Sequence, residues 1–438
     1  MGRTLRSPRL RRILIAYTIN RLGSWLGLVA LSLGVFDHTH DALAVAGLLL
    51  AWQALPAFVV PALVAHVETS KRRGGLSGLY LFEALVTAAL ALLIWHFNLA
   101  AVLALAALDG TAALAANALL RTEVAGVARA EASIDADGAA APGDAALAER
   151  NANAAVNVAF SVSFVAGPAI GGVVAAAAGV PAALLIDVAT FVVCGILLLD
   201  LKAHVEETAS DSVTARLRVA WEHIRSDRSL RTLLVVDTTA MVFVQAGSPI
   251  EVPLLKATLH GGDRGYGLFV TVWGAGAVAS SLLFARSKSP ALATTLSGAV
   301  CALGAAFVGL ALAPTVALAC FAAFVGGFGN GLYVPSIISL VQRLTPQALH
   351  GRLMGAVESL GAVAVALGLP LGGALVALSS PRTAFLALGI AALAAGAVYI
   401  WLALSAFEPR RRRAAQAPET TGRAHKTMAL PGHQRPPE

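Results

Sequence analysis

Ionisable residues stand inside long apolar runs of this 438-residue chain, among them Arg21, Glu83, Asp109, Asp187, Asp237 and Glu358. A charge buried at such a position costs about 2.5–3.5 kcal/mol on insertion scales, so it needs a partner, water or a task. The chemistry open to these groups is proton transfer on a carboxyl, ion pairing, or holding a charged ligand. Glu83, Asp187 and Glu358 lie within about two helical turns of a run's end, where snorkelling or structural pairing suffices. "DHTHD" (Asp37 to Asp41) offers two histidines and two acids, the donor types of a zinc site. It is short and has no further ligand nearby, so a solvated turn is expected and no metal site. The sequence contains no "GxxxxGK[ST]", no "GxSxG" and no "HExxH". ATP-driven transport and the common hydrolase chemistries are therefore excluded, and no enzyme is expected. "GGFGNG" (Gly326 to Gly331) lacks the strand–turn–helix setting of a dinucleotide loop.

The elements that must position these groups follow from composition. Hydrophobic residues make up 57% of the chain and charged residues 13%, about half the roughly 25% charge of a soluble domain. A globular core cannot absorb that much apolar surface, so much of it must face lipid. Apolar stretches of about 20 residues, the length that crosses a hydrocarbon core, recur along the chain. Spans are expected near 13–35, 43–65, 76–96, 99–120, 153–176, 181–200, 232–255, 264–285, 292–312, 315–338, 353–377 and 382–404. The fold class is thus an all-α polytopic membrane protein with twelve transmembrane helices. The three cysteines, Cys194, Cys301 and Cys320, all fall within spans and suggest no disulfide framework.

Charge supports the count. Of 32 lysines and arginines, only Lys256, Arg264 and Arg382 fall at the loops after odd-numbered spans, and Arg21 is inside the first span. The positive-inside rule then puts both termini and the even-numbered loops in the cytoplasm. The expected organisation is a basic tail over 1–12, a six-helix bundle over 13–200, a cytoplasmic linker over 201–231, a second six-helix bundle over 232–405, and a disordered tail over 406–438. Within the linker Val213, Leu217, Ala220, Trp221 and Ile224 recur at helical spacing, the pattern of an amphipathic helix at a membrane surface or of a solvated connection. "RAEASIDADGAAAPGDAALAERNA" between spans 4 and 5 reads as a loop with little fixed structure. "GGVVAAAAGVPAALLIDVATF" (171–191) and "GGALVALSSPRTAFLALGIAA" (372–392) share an opening Gly-Gly, a short break and an apolar return span. Internal repeats of this kind build many transporters, with the substrate site between the repeats.

"SFVAGPAIGGVV" (Ser163 to Val174) would break a helix in water, since proline and glycine are poor helix formers. In lipid, small residues let backbones approach, and neighbouring helices satisfy groups that proline frees. Ser163, Gly167, Gly171 and Gly172, with Pro168 among them, mark a helix-packing face at four-residue spacing. This stretch resembles the fifth-helix "GxxxGPxxGG" motif of antiporters in the major facilitator superfamily, with Ser163 in place of the first glycine. "QRLTPQALHGRLMGAVESL" (Gln342 to Leu360) is similar to the loop after helix 10 in the superfamily's macrolide-efflux and enterobactin-exporter-like branch of drug:proton antiporters. Gln342, Arg343, Pro346, Gly351, Arg352, Met354 and Gly355 carry that match. "VAHVETSKRR" (Val64 to Arg73) stands where the superfamily has "GxxxDRxGRR". Glu68, Arg72 and Arg73 fit it, whereas Val64 and Lys71 replace glycines and Thr69 replaces the arginine.

The resemblance covers about residues 10 to 405. It implies two pseudo-symmetric six-helix bundles working by alternating access, with Glu68, Arg72, Arg73, Gly351 and Arg352 as cytoplasmic gating-loop residues. Helices 1, 4, 7 and 10 line the cavity in that family, which makes Arg21, Asp109 and Asp237 the candidates for substrate binding or proton coupling. By helical rise, Arg21 and Asp109 lie within about 4 Å of each other in depth, so they are expected to form the central charge pair. The implied function is proton-coupled efflux of an amphipathic small molecule across the inner membrane. An importer or uniporter of one metabolite, or a membrane sensor or assembly partner without transport, remains open. The expected partners are a small-molecule substrate, protons and membrane lipids. The chain is expected to act as a monomer, with no nucleic acid, metal or cofactor.

Overall fold

The computed structural model describes residues 7–69, 75–134, 142–199, 213–287, 291–346 and 349–402, and among them there are helices and no strands. The helices are α1 (Pro8–Thr39), α2 (Ala42–Thr69), α3 (Gly75–Leu93), α4 (Leu99–Ile134), α5 (Pro142–Ala178), α6 (Val180–Leu197), α7 (Val213–Ser226), α8 (Arg228–Pro253), α9 (Gly262–Arg286), α10 (Leu292–Leu312), α11 (Val316–Leu344), α12 (His350–Leu378) and α13 (Pro381–Leu402). Eleven of them have described stretches long and apolar enough to cross a membrane, and α2, at 28 residues, is the twelfth. All but α7 are membrane helices. A helix satisfies its own backbone, which is what hydrocarbon demands.

Local signals start and stop these helices. Ser7 accepts a hydrogen bond from the Leu10 amide ahead of Pro8, and Asp227 accepts from the Ser229 and Leu230 amides. Such side chains satisfy amides that have no partner inside the helix. Gly179, at φ 85°, turns the chain between α5 and α6, a conformation that a side chain would disfavour. The stretch between spans 4 and 5 departs from expectation. α4 runs for 36 residues to Ile134, and α5 starts at Pro142 and runs for 37. Its alanines, the best helix formers, continue both helices past the membrane, and Arg129 pairs with Glu149 at 3.6 Å between their ends. The linker is helical over Val213–Ser226, with Ala220 and Ile224 buried and Trp221 exposed beneath Arg225.

Because twelve helices alternate direction, Pro8 and Leu402 lie on one face, here the near face, together with α7; the other is the far face. Buried apolar residues form three clusters. One gathers the far-face ends of helices from both halves, from Leu26 and Phe36 to Phe307, Leu369 and Phe385. The second, from Leu10 to Leu198, belongs to α1–α6 alone. The third, from Ala220 to Tyr399, belongs to α7–α13 alone. The halves therefore share a core at the far face and keep separate cores at the near face.

The repeat explains how they meet. A Cβ on Gly167 would lie 2.6 Å from Trp25 Cβ, and one on Gly171 would lie 2.8 Å from Leu26 O, so both glycines seat α5 on α1. Ser163 Oγ donates to Thr18 O on the same helix. Gly172 faces the other way: its Cβ would lie 2.6 Å from Gly267 Cα on α9. In α12, a Cβ on Gly368 would lie 2.8 Å from Gln245 Cβ on α8, and Gly372 packs against Ala246 of that helix. Gly373 reaches α2, 3.0 Å from Ala46 Cβ by the same measure. Each glycine of the first set thus has a counterpart 201 residues later, with one pair holding its own half together and the next touching the other half.

Candidate functional site

A cavity of about 250 Å³ lies between the halves, beneath the shared far-face core, lined by α1, α2, α5, α8, α9, α10 and α11. Its polar lining is Ser32, Gln53, Gln245, Ser248, Glu251 and Asn330. Glu251 carries its ionisable carboxylate, and no described residue forms a hydrogen bond or ion pair with it. The sequence reading passed over Glu251, although the signal was present: "SPIEVP" sets an acid between two prolines inside the seventh span.

The far-face wall of the cavity is latched. Pro253 brings α8 to its end, and a π-helical turn follows over Leu254–Thr258. Proline withholds one backbone donor, which favours such a local change of winding. The turn carries Lys256 between Asp37 of α1 at 2.5 Å and Asp263 of α9 at 2.6 Å. Asp37 thereby takes part in an ion pair between the halves rather than in a merely solvated turn. Its neighbour His38 stacks on Phe97, and no cluster of His, Cys, Asp and Glu among the described residues is built to hold a metal.

The candidate coupling residues occupy three different settings. Asp109 accepts hydrogen bonds from Trp52 Nε1 at 3.0 Å and Thr87 Oγ1 at 3.2 Å, tying α4 to α2 and α3. Trp52 sits between Leu49 and Gln53, which both line the cavity. Arg21 does not pair with Asp109. Its guanidinium lies 5.9 Å from the Tyr17 ring centroid, and its Nε is buried without a hydrogen-bond partner. Similar depth was a poor guide to contact, because it fixes one coordinate and leaves the helix rotations free. Asp237 accepts from Tyr333 Oη at 2.7 Å and Tyr399 Oη at 3.0 Å, tying α8 to α11 and α13.

Glu83 and Asp187 do not snorkel. They are 1% and 4% exposed, in the interior of the first half, whereas Glu358 is exposed. Asp187 lies against Gly23 and Gly27 of α1, where a Cβ on Gly27 would stand 3.1 Å from its carboxyl carbon. Both oxygens of Glu83 are buried without a hydrogen-bond partner, and Asp109, Asp187 and Arg21 are its charged neighbours. Of these three carboxyl groups only Glu83 has Arg21 as a charged neighbour, while Asp187 accepts from Thr190 Oγ1 at 3.2 Å and Asp109 from Trp52 and Thr87. Of the gating-loop residues, Arg72 and Arg73 lie outside the described residues, as do the side chains of Glu68 and Arg352 and the surroundings of Gly351.

The profile of the Major Facilitator Superfamily matches residues 13–361 and again 250–431. The chain belongs to that superfamily. It is a multi-pass membrane transporter and not an enzyme, and members of the family bind small-molecule substrates. A curated relative, the multidrug efflux pump Tap of Mycolicibacterium fortuitum, is 27% identical over 265 residues, covering 58% of this chain and 63% of the relative. The match thus spans less than two thirds of that pump's length. Among solved structures, the nucleoside transporter NupG superposes with a TM-score of 0.70 at 12% identity, over 90% of this chain and 99% of that one. A POT family transporter in complex with a thioalcohol-conjugated peptide gives 0.67 at 12% identity, over 92% and 96%. At such identities these two establish the shared fold.

The settings of the candidate acids separate their expected behaviour. Asp237→Ala would leave two tyrosine hydroxyls buried without an acceptor, at about 1–3 kcal/mol for each unsatisfied group. The thermal midpoint of the purified transporter is expected to fall by several degrees, with transport falling only in step with folded protein. Asp237→Asn with an unchanged midpoint and lost transport against a gradient would instead make Asp237 a coupling residue.

Proposed function

We propose that this transporter exports an amphipathic small molecule from the cytoplasm, driven by proton entry. The observation that carries the reading is the wedge between the halves: one core and an ion-paired latch at the far face, separate cores at the near face, and a cavity at the apex. That is the geometry of one end state of alternating access. The near face carries the basic residues, so the positive-inside rule makes it cytoplasmic, with the termini and the 201–231 linker inside. The efflux pump among its relatives supports the direction. A bacterial inner membrane is the corresponding location, with lipids the surrounding partners and the monomer the working unit, since the cavity is complete within one chain.

Proton coupling is assigned to the first half. A buried carboxyl group without an offsetting charge is costly, and Glu83 with its neighbours Asp109 and Asp187 can exchange a proton more cheaply than all three can stay charged. Asp109 is the carrier we assign, because Trp52 links it to the cavity wall. The test is accumulation of a fluorescent amphipathic dye in cells of a pump-deficient host. Expression is expected to lower accumulation several-fold, and a protonophore should remove the difference. Raised accumulation would reverse the direction, and protonophore-resistant exclusion that follows a sodium gradient would replace the coupling ion.

A further inference from the structure

The polar lining of the cavity contains one carboxylate and no basic side chain. Lys256, the cation five residues beyond Glu251, is already held between Asp37 and Asp263. Arg21 has Glu83 as its acidic neighbour and is not part of the lining. The rest of the wall is apolar, with six aromatic residues, Trp25, Phe164, Tyr266, Phe269, Trp273 and Phe307, set among leucines and valines. Trp25 and Phe164 meet edge to face with centroids 4.7 Å apart, which holds both rings in fixed orientations against the space.

We infer that the cavity selects amphipathic monocations with an aromatic or polycyclic body, Glu251 supplying the charge contact and the aromatic wall the remaining contact area. This inference rests on the transporter reading and narrows its substrate class. Its physical basis is electrostatic closure. A ligand that excludes water from the cavity leaves the Glu251 carboxylate without solvent, and removing one member of a buried pair is far more costly than burying the pair. A neutral ligand offsets none of that charge, so the carboxyl must take up a proton before it is enclosed, and an anion adds to the charge. A monocation offsets it once, and a dication would carry a second charge that no other group of the lining neutralises. The ring faces add a preference of the same sign, because the negative face of an aromatic ring attracts cations when both are desolvated. Gln53, Gln245, Ser248 and Asn330 donate or accept as the ligand requires, and orient it without selecting its charge.

Two ions of the same shape and opposite charge provide the test: tetraphenylphosphonium and tetraphenylborate, titrated against the full-length transporter purified in detergent. The parent is expected to bind the phosphonium at least about tenfold more tightly than the borate. Glu251→Gln should lose about tenfold or more in phosphonium affinity and leave borate binding equal or improved. Glu251→Asp should keep the preference for the cation. Thermal unfolding of each variant shows whether it is folded, and the parent's own preference is measured without any variant. A parent that binds the borate as well as the phosphonium, or a folded Glu251→Gln protein with parental phosphonium affinity, overturns the inference. Failure of the efflux reading would look different. Phosphonium binding dependent on Glu251, with no energised export from vesicles, would leave this site standing and remove the proposed function.

Discussion

Replacing Gly172 with leucine is expected to cut transport about tenfold or more while the amount of folded protein in the membrane changes little. The Cβ alone would stand 2.6 Å from Gly267 Cα and 2.8 Å from Asp263 O, and backbone cannot yield as a flexible side chain can. The contact lies between the halves, so each bundle can still fold. What is lost is the closed far face that forms the apex of the cavity. Gly373→Leu should act in the same way, since that glycine meets Leu43 and Ala46 across the other seam. Gly171→Leu forms the contrast. It wedges α5 from α1 inside one bundle, against Leu26 O at 2.8 Å, and should lower the amount of folded protein. Ala177→Leu, on an exposed turn of the same helix, should do neither. Dye efflux measured against protein quantified in the same membranes decides the matter, and a Gly172→Leu transporter working at the parental rate would show that this seam does not close during the cycle.

Asp109→Asn is expected to abolish export against a gradient, by about tenfold or more, while substrate still equilibrates down its gradient. Both partners of this carboxylate, Trp52 Nε1 and Thr87 Oγ1, are donors in the arrangement seen. An amide can accept both through its single oxygen, or accept from Trp52 and donate to the Thr87 hydroxyl, so a modest loss of stability accompanies the lost charge. Trp52→Phe separates the two effects, because it removes a donor and keeps the proton-binding carboxyl. It should weaken the dependence of export on substrate binding, with uphill transport reduced and not eliminated. If Asp109→Asn exports uphill at the parental rate, the carrier lies elsewhere in the cluster and Glu83 is next. If it fails to accumulate as folded protein, Asp109 is a strut.

Much of the architecture was legible in the residues. Span lengths, the charge asymmetry and the Gly-Gly repeat follow from the thickness of a bilayer, the cost of moving cations across it, and the need for small residues where helices touch. These properties act residue by residue along the chain, so they could be read without coordinates. The packing role of Gly167 and Gly171 was legible for the same reason. The composition of the stretch between spans 4 and 5 misled at its two ends, where alanines continue α4 to Ile134 and α5 back to Pro142, while residues 135–141 lie outside the described residues.

The amino-acid sequence by itself determined that this chain is a twelve-helix membrane protein of repeated halves with buried charges that require a use. The tertiary structure decided which partners each charge meets. Asp109 meets Trp52 and Thr87 instead of Arg21, Asp237 is held by two tyrosines, and Lys256 reaches across to Asp37. It also placed Glu251 in the cavity wall. Helical periodicity specifies depth and face only relative to a helix's own axis. Which faces meet depends on the rotation and crossing of helices up to hundreds of residues apart, and that is set by packing summed over the whole bundle.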